Sequence, residues 1–200
     1  MPSASVCSVT RRSLQAERTV TPCSFLGNKD PKTNTIKIAE DTASISETFS
    51  SPDKQVTDQT DHTKSVAVKN TGSAECFVKV YFELSDSRLA DEKVKLSSDG
   101  TSFVKWENLK AHPPADWTYI GNQNNAFDGY FYYTKKLAPG AATSDLIKKV
   151  RTAYNDVYDI PDFEIIVYSE TVQTVETDES GTQYTDSQWE TAWKSFLKIS

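Results

Sequence analysis

Apolar residues in this chain recur mostly at every second position, the period of a half-buried strand rather than of a helix. The run Cys76 to Leu84, CFVKVYFEL, is the clearest case. Cys76, Val78, Val80, Phe82 and Leu84 fall on one face, Phe77, Lys79, Tyr81 and Glu83 on the other, and the all-apolar face is expected to look into a core. Shorter runs of the same kind predict strands at Thr35 to Ala39, around Ala43 to Phe49, at Val66 to Lys69 and at Ser102 to Trp106, with Lys95 to Ser97 and Phe103 to Trp106 forming a hairpin. Phe163 to Val175 is the longest candidate, with Pro161 fixing its start. Ala142 to Val150 fits two readings, a helical turn capped by Ser144 or a strand running into Val150.

The segment from Asp116 to Gly140 concentrates aromatic residues and turn signals. Trp117 to Ile120 and Tyr130 to Thr134 predict a hairpin around the polar loop GNQNNAFDG, where Gly121 and Gly129 tolerate positive φ. Alternation puts Tyr130, Tyr132 and Thr134 on one face and Phe131 and Tyr133 on the other, so both faces are aromatic, as suits a central strand. Pro139-Gly140 ends the hairpin in a second turn. Asn70 and Gly72 in NTGSAE read as left-handed turn residues.

Only the C-terminus changes period. Trp189, Trp193, Phe196 and Leu197 recur at i, i+4, i+7 and i+8, with Ser187 and Glu190 in a capping-box pattern, which predicts a short amphipathic helix packed on the sheets. Many short strands, frequent turns and one such helix predict an all-β fold, an antiparallel two-sheet sandwich. Periodicity leaves jelly-roll and immunoglobulin-like topologies open.

Composition narrows the function classes. Two hundred residues with 37% hydrophobic and 11% aromatic content suit a single main domain. Net charge is -6, with lysines and arginines interspersed among acids, so neither a nucleic-acid footprint nor attraction to an anionic membrane is expected. No apolar run has the length of a membrane span, and the first 30 residues show no signal-peptide apolar region. Residues 1–24 are polar and aperiodic and read as a disordered leader, leaving 25–200 as the domain. Cys7, Cys23 and Cys76 show no metal-ligand spacing, and Cys76 reads as a small buried hydrophobe.

Candidate chemistry is sparse. His62 and His112 both read as exposed loop residues, and neither sits in a zinc helix motif. Asp53, Asp58, Asp61 and His62 form an acidic loop without EF-hand spacing, for which a solvated loop is the plainer reading than a calcium site. No nucleophile elbow or phosphate-cradling glycine loop is present. The sequence therefore predicts no catalytic residues, no metal ligands and no cofactor, and a non-enzyme. Trp117, Tyr119, Tyr130, Tyr132 and Tyr133 read first as sandwich core and second as a ring-stacking surface for sugars, the basis of an alternative reading as a carbohydrate-binding or adhesive module.

Four segments carry a resemblance: KDPKTNTIKI at Lys29 to Ile38, VKNTGSAECFVKV at Val68 to Val80, DGYFYYTKKLAPGAATSDLI at Asp128 to Ile147, and VYSETVQTV together with the later Ala192-Trp193. Together they resemble the TasA/camelysin family of secreted biofilm-matrix and cell-surface fibre proteins. The resemblance implies a jelly-roll sandwich, secretion to a cell surface or matrix, and a structural role. Its partners would be further copies of itself, alongside cell-wall or matrix components. It also implies assembly by donation of an N-terminal strand to the next copy, here Thr33, Asn34, Thr35, Ile36, Lys37 and Ile38. Camelysin-type members are classed as metalloproteases, an activity for which no zinc-ligand set stands here. The apolar signal segment that the family would place before Phe25 is replaced by MPSASVCSVTRRSLQAERTVTPCS, which we read as the product of a wrongly chosen start or a shifted frame.

Overall fold

The computed structural model describes residues 43–49, 61–85, 93–121, 125–152, 165–175, 181 and 183–199. Eight strands form two antiparallel four-stranded sheets. β1 (Ala43–Phe49), β2 (Asp61–Asn70), β7 (Ile147–Thr152) and β4 (Val94–Ser97) make the first, in that order. The second runs β5 (Trp117–Ile120), β6 (Tyr130–Tyr133), β3 (Cys76–Leu84), β8 (Ile165–Gln173). Among consecutive strands only β1–β2 and β5–β6 are neighbours in one sheet. Every other step moves the chain to the opposite sheet or past its neighbour, which makes the two layers one cooperative unit. The antiparallel two-sheet sandwich and the C-terminal helix are as the residue pattern predicts.

Inward-facing residues of both sheets meet in a single core. Val66 and Val68 of β2, Val78, Val80 and Phe82 of β3, Phe131 and Tyr133 of β6, Val150 of β7 and Val167 of β8 all belong to it. The β3 alternation holds residue by residue: Cys76, Val78, Val80, Phe82 and Leu84 face this core, while Phe77 faces out. Burial at about 25 cal/mol per Å² makes such a face the dominant local driving force. Cys76 is buried, as expected of a small apolar residue.

A second, smaller cluster lies on the outer side of the β5-β6-β3-β8 sheet. Phe77, Phe127, Tyr132, Val172, Tyr184, Ala192 and Trp193 form it, the last two supplied by helix α2 (Trp189–Leu197). The aromatic character of both faces of β6 thus has two causes. Phe131 and Tyr133 fill the sandwich, and Tyr132 lies under α2.

Several local expectations are corrected. Trp106 begins a helix, α1 (Trp106–Ala111), instead of ending a strand. The hairpin with β4 is reduced to one bridge, Leu96 to Val104, with N–H···O distances of 2.9 and 2.8 Å. Ala142 to Val150 resolves as extended chain entering β7, because Thr143 and Leu146 bond the β2 backbone. The capping box is Thr185 with Gln188, which opens a 3-10 turn at Asp186–Gln188 before α2; it is not Ser187 with Glu190. Asn70 and Gly72 do not take positive φ. Asn70 acts through its side chain, donating to Ala74 O at 2.7 Å and Leu137 O at 2.8 Å and accepting from Gly72 N at 2.9 Å. Gly129 has φ 84° as expected, but Gly121 does not; a Cβ there would meet Cε1 of Tyr119 at 2.9 Å, so space and not φ requires glycine.

Candidate functional site on the open side and outer face

The two lateral sides of the sandwich differ. On one side the edges are β4 and β5, each of 4 residues, and α1 packs against both. On the other side the edges are β1, of 7 residues, and β8, of 9, and they approach each other. β1 is paired along its whole length with β2, from Ala43 opposite Asn70 to Phe49 opposite Lys64. Among the described residues no strand pairs with the far edge of β1 or of β8. Proteins usually blunt such edges with lysine, proline or a bulge, and β1, ASISETF, carries none of the three. The segment Thr33 to Ile38, named above as a donor strand, lies outside the described residues, as do residues 1–24, Asp53 and Asp58.

Asp61 and His62 are described, and both depart from the loop reading. They open β2, opposite Arg151 and Val150. The Asp61 carboxylate accepts from Arg151 Nε at 2.5 Å and lies 3.9 Å from Lys149 Nζ, and the Arg151 hydrogen bond holds it below its ordinary carboxylate range. Its oxygens are thus engaged by cations of the protein itself. His62 is half-buried with Nε2 lacking a partner, and burial pulls its pKa down. His112 is exposed, as expected. Among the described residues no group of three or more metal-ligating side chains converges.

The five aromatic residues of the hairpin do not share a surface. Trp117 and Tyr133 are buried in the sandwich core with their rings 5.1 Å apart, and Tyr119 packs at its margin against Phe131. Tyr132 is fully buried on the opposite face, where its hydroxyl donates to Phe127 O at 2.9 Å. Tyr130 alone of the five belongs to an outward, half-exposed group.

That group was not read from the hairpin, because its other members come from β3 and β8. Tyr81 stands directly opposite Tyr168 in the register, with ring centroids 5.5 Å apart. One position beyond the Val80–Phe131 pair, Tyr81 meets Tyr130 edge-on at 5.8 Å. Tyr168, Tyr81 and Tyr130 therefore form one cross-strand row over three strands. The Tyr81 phenol donates to the Glu83 carboxylate, and the Glu170 carboxylate lies near Tyr130. Burial first, and then the neighbouring carboxylates, push both phenols above the ordinary tyrosine value.

The adjacent row marks where the helix cover begins. Lys79 is opposite Glu170 on one side and Tyr132 on the other. Its side chain is 2% exposed, and its ammonium lies 3.1 Å from Glu170, 4.0 Å from the centroid of Tyr130 and 4.9 Å from that of Trp193. Burial lowers the lysine pKa while Glu170 opposes that shift. The contact is an ion pair roofed by two π-faces, which ties α2 to the sheet. Alternation on β3 and β8 signalled the outward positions of Tyr81 and Tyr168, but only the register makes them neighbours.

Comparison of the chain with protein-family models and with curated protein sequences finds no match. The likeness to TasA/camelysin proteins rests on the four segments quoted above.

Proposed function

We propose that this protein is a non-enzymatic structural subunit whose copies join by strand addition into a fibre or surface coat outside the cell. The observation that supports this reading best is the unequal treatment of the two sides of the sandwich. α1 packs on the short edges, while among the described residues β1 and β8 have no strand on their far edges, which lie near each other. An added strand satisfies the backbone donors and acceptors of such an edge, and alternate side chains set its register. The donor is the segment Thr33 to Ile38 of the next copy, whose Ile36 and Ile38 share one face. It precedes β1 in the chain. A head-to-tail exchange of this kind grows into an open fibre when the rotation between copies does not close a ring. The extracellular setting comes from the resemblance.

The test is light scattering and negative-stain microscopy of the full chain beside an Ile36→Pro/Ile38→Pro variant, since proline removes ladder donors. Concentration-dependent filaments in the parent and monomers in the variant are expected. If both remain monomeric across salt, pH and concentration, or if both form the same filaments, donor-strand assembly is wrong.

A further inference from the structure

We propose that Tyr81 and Tyr168 are a site of oxidative cross-linking, at which a haem peroxidase using hydrogen peroxide joins the two phenols into an intrachain dityrosine. The site stands whether or not copies assemble, because all its members lie in one chain.

Three features of the tyrosine row bear on this chemistry. The first is proximity. Coupling joins the carbon ortho to each hydroxyl, and Tyr81 and Tyr168 are directly opposed residues of β3 and β8 whose rings, 5.5 Å apart and inclined at 44°, lie within a small side-chain motion of contact. Holding two reactants at such a distance replaces a bimolecular encounter by a local one. The second is a proton acceptor. A phenol that loses an electron becomes a strong acid, and the Tyr81 hydroxyl already donates to Glu83, so the proton has a place to go as the electron leaves. Burial together with this carboxylate keeps Tyr81 protonated far above the ordinary tyrosine range, which closes the alternative route through a preformed phenolate. The third is access. Tyr81 and Tyr168 are half-exposed and Glu83 is exposed, whereas Tyr132, one row away, is sealed beneath α2.

The step balances. Each phenol gives up one electron and one proton; the two ring radicals form one carbon–carbon bond, and the two ortho hydrogens are lost as the rings regain aromaticity while both oxygens recover their protons. One hydrogen peroxide takes up the two electrons and two protons and leaves as two waters. The product ties edge strand β8 covalently to β3.

The experiment treats the full chain with a haem peroxidase and limiting hydrogen peroxide. Expected results are the blue fluorescence of the biphenol, a monomer lighter by two hydrogens, and a proteolytic peptide pair joining Tyr81 to Tyr168. Tyr81→Phe and Tyr168→Phe, which keep the rings, should each abolish that peptide pair. Glu83→Gln should slow its formation several-fold without changing the circular dichroism spectrum. Urea present during oxidation should remove the selectivity. The proposal is overturned if the product is chiefly interchain, if mapping finds Tyr81 joined to Tyr130 or other tyrosines linked instead, or if yield is the same in the folded and unfolded chain.

Discussion

The two faces of the β5-β6-β3-β8 sheet are made by the same strands and the same alternation, yet they are finished by different means. The inner face meets another sheet, and the residues of both form one buried core. The outer face meets a nine-residue helix that covers Phe77, Tyr132 and Val172 and stops at the Lys79–Glu170 row. A sheet partner buries most of the face it meets, with only marginal residues such as Tyr119 left half-buried. A helix partner buries a stripe and leaves the next row half-exposed, and that row is where the tyrosines and carboxylates are found. The inner face is thus committed to stability, while the outer face has room for chemistry.

Four substitutions measure how far the faces differ. Phe131→Ala empties part of the inner core and is expected to cost about 4 kcal/mol, seen as a lower urea midpoint of one cooperative transition. Trp193→Ala removes the main anchor of α2 and is expected to cost about 3 kcal/mol, less because the helix can move away from the gap. In that variant hydrogen exchange should quicken in 189–197 while β2 and β7 stay protected. A loss of protection throughout would mean that the two faces unfold as one.

Glu170→Gln leaves the Lys79 ammonium without its carboxylate, and with Glu170 a third exposed the expected cost at neutral pH is about 1 kcal/mol. The folded lysine then titrates below the unfolded one. The folded chain binds fewer protons in that window, so stability of the variant should rise with pH between the two values. A flat pH profile would show that Lys79 is better solvated than its contacts imply. Tyr132→Phe is expected to cost a similar amount, about 1 kcal/mol from the lost bond to Phe127 O. Burial raises the pKa of Tyr132 in the folded chain. Its contribution is therefore complete below the unfolded tyrosine value of about 10 and is lost as pH climbs beyond it, so the parent should lose stability in alkali more steeply than the variant.

The inner face could be read from residues because strand alternation is a local signal. Val78, Val80 and Phe82 declare their side without reference to any partner. What failed depended on partners. Trp106 sits in a β-rich stretch but stacks on Phe82 at 4.7 Å and starts α1, whose short length gives almost no helical period to detect. Asp61 and His62 looked like loop residues because β2 begins among polar positions that only Arg151 and Val150 make meaningful. The hairpin tyrosines were grouped by sequence adjacency, whereas neighbours on a sheet are set by register. Tyr81 and Tyr168 are 87 positions apart in the numbering and directly opposite in space.

Lys79 also supplies a spectroscopic handle. An alkyl-ammonium chain held against the faces of Tyr130 and Trp193 sits in the ring currents of both, so its ε-methylene protons should resonate well upfield of every exposed lysine in the chain. The same seclusion should make this amine acylate far more slowly than the exposed lysines. One resolved line in a proton spectrum, or delayed modification of Lys79 itself in a mass map, would report whether the C-terminal helix is docked.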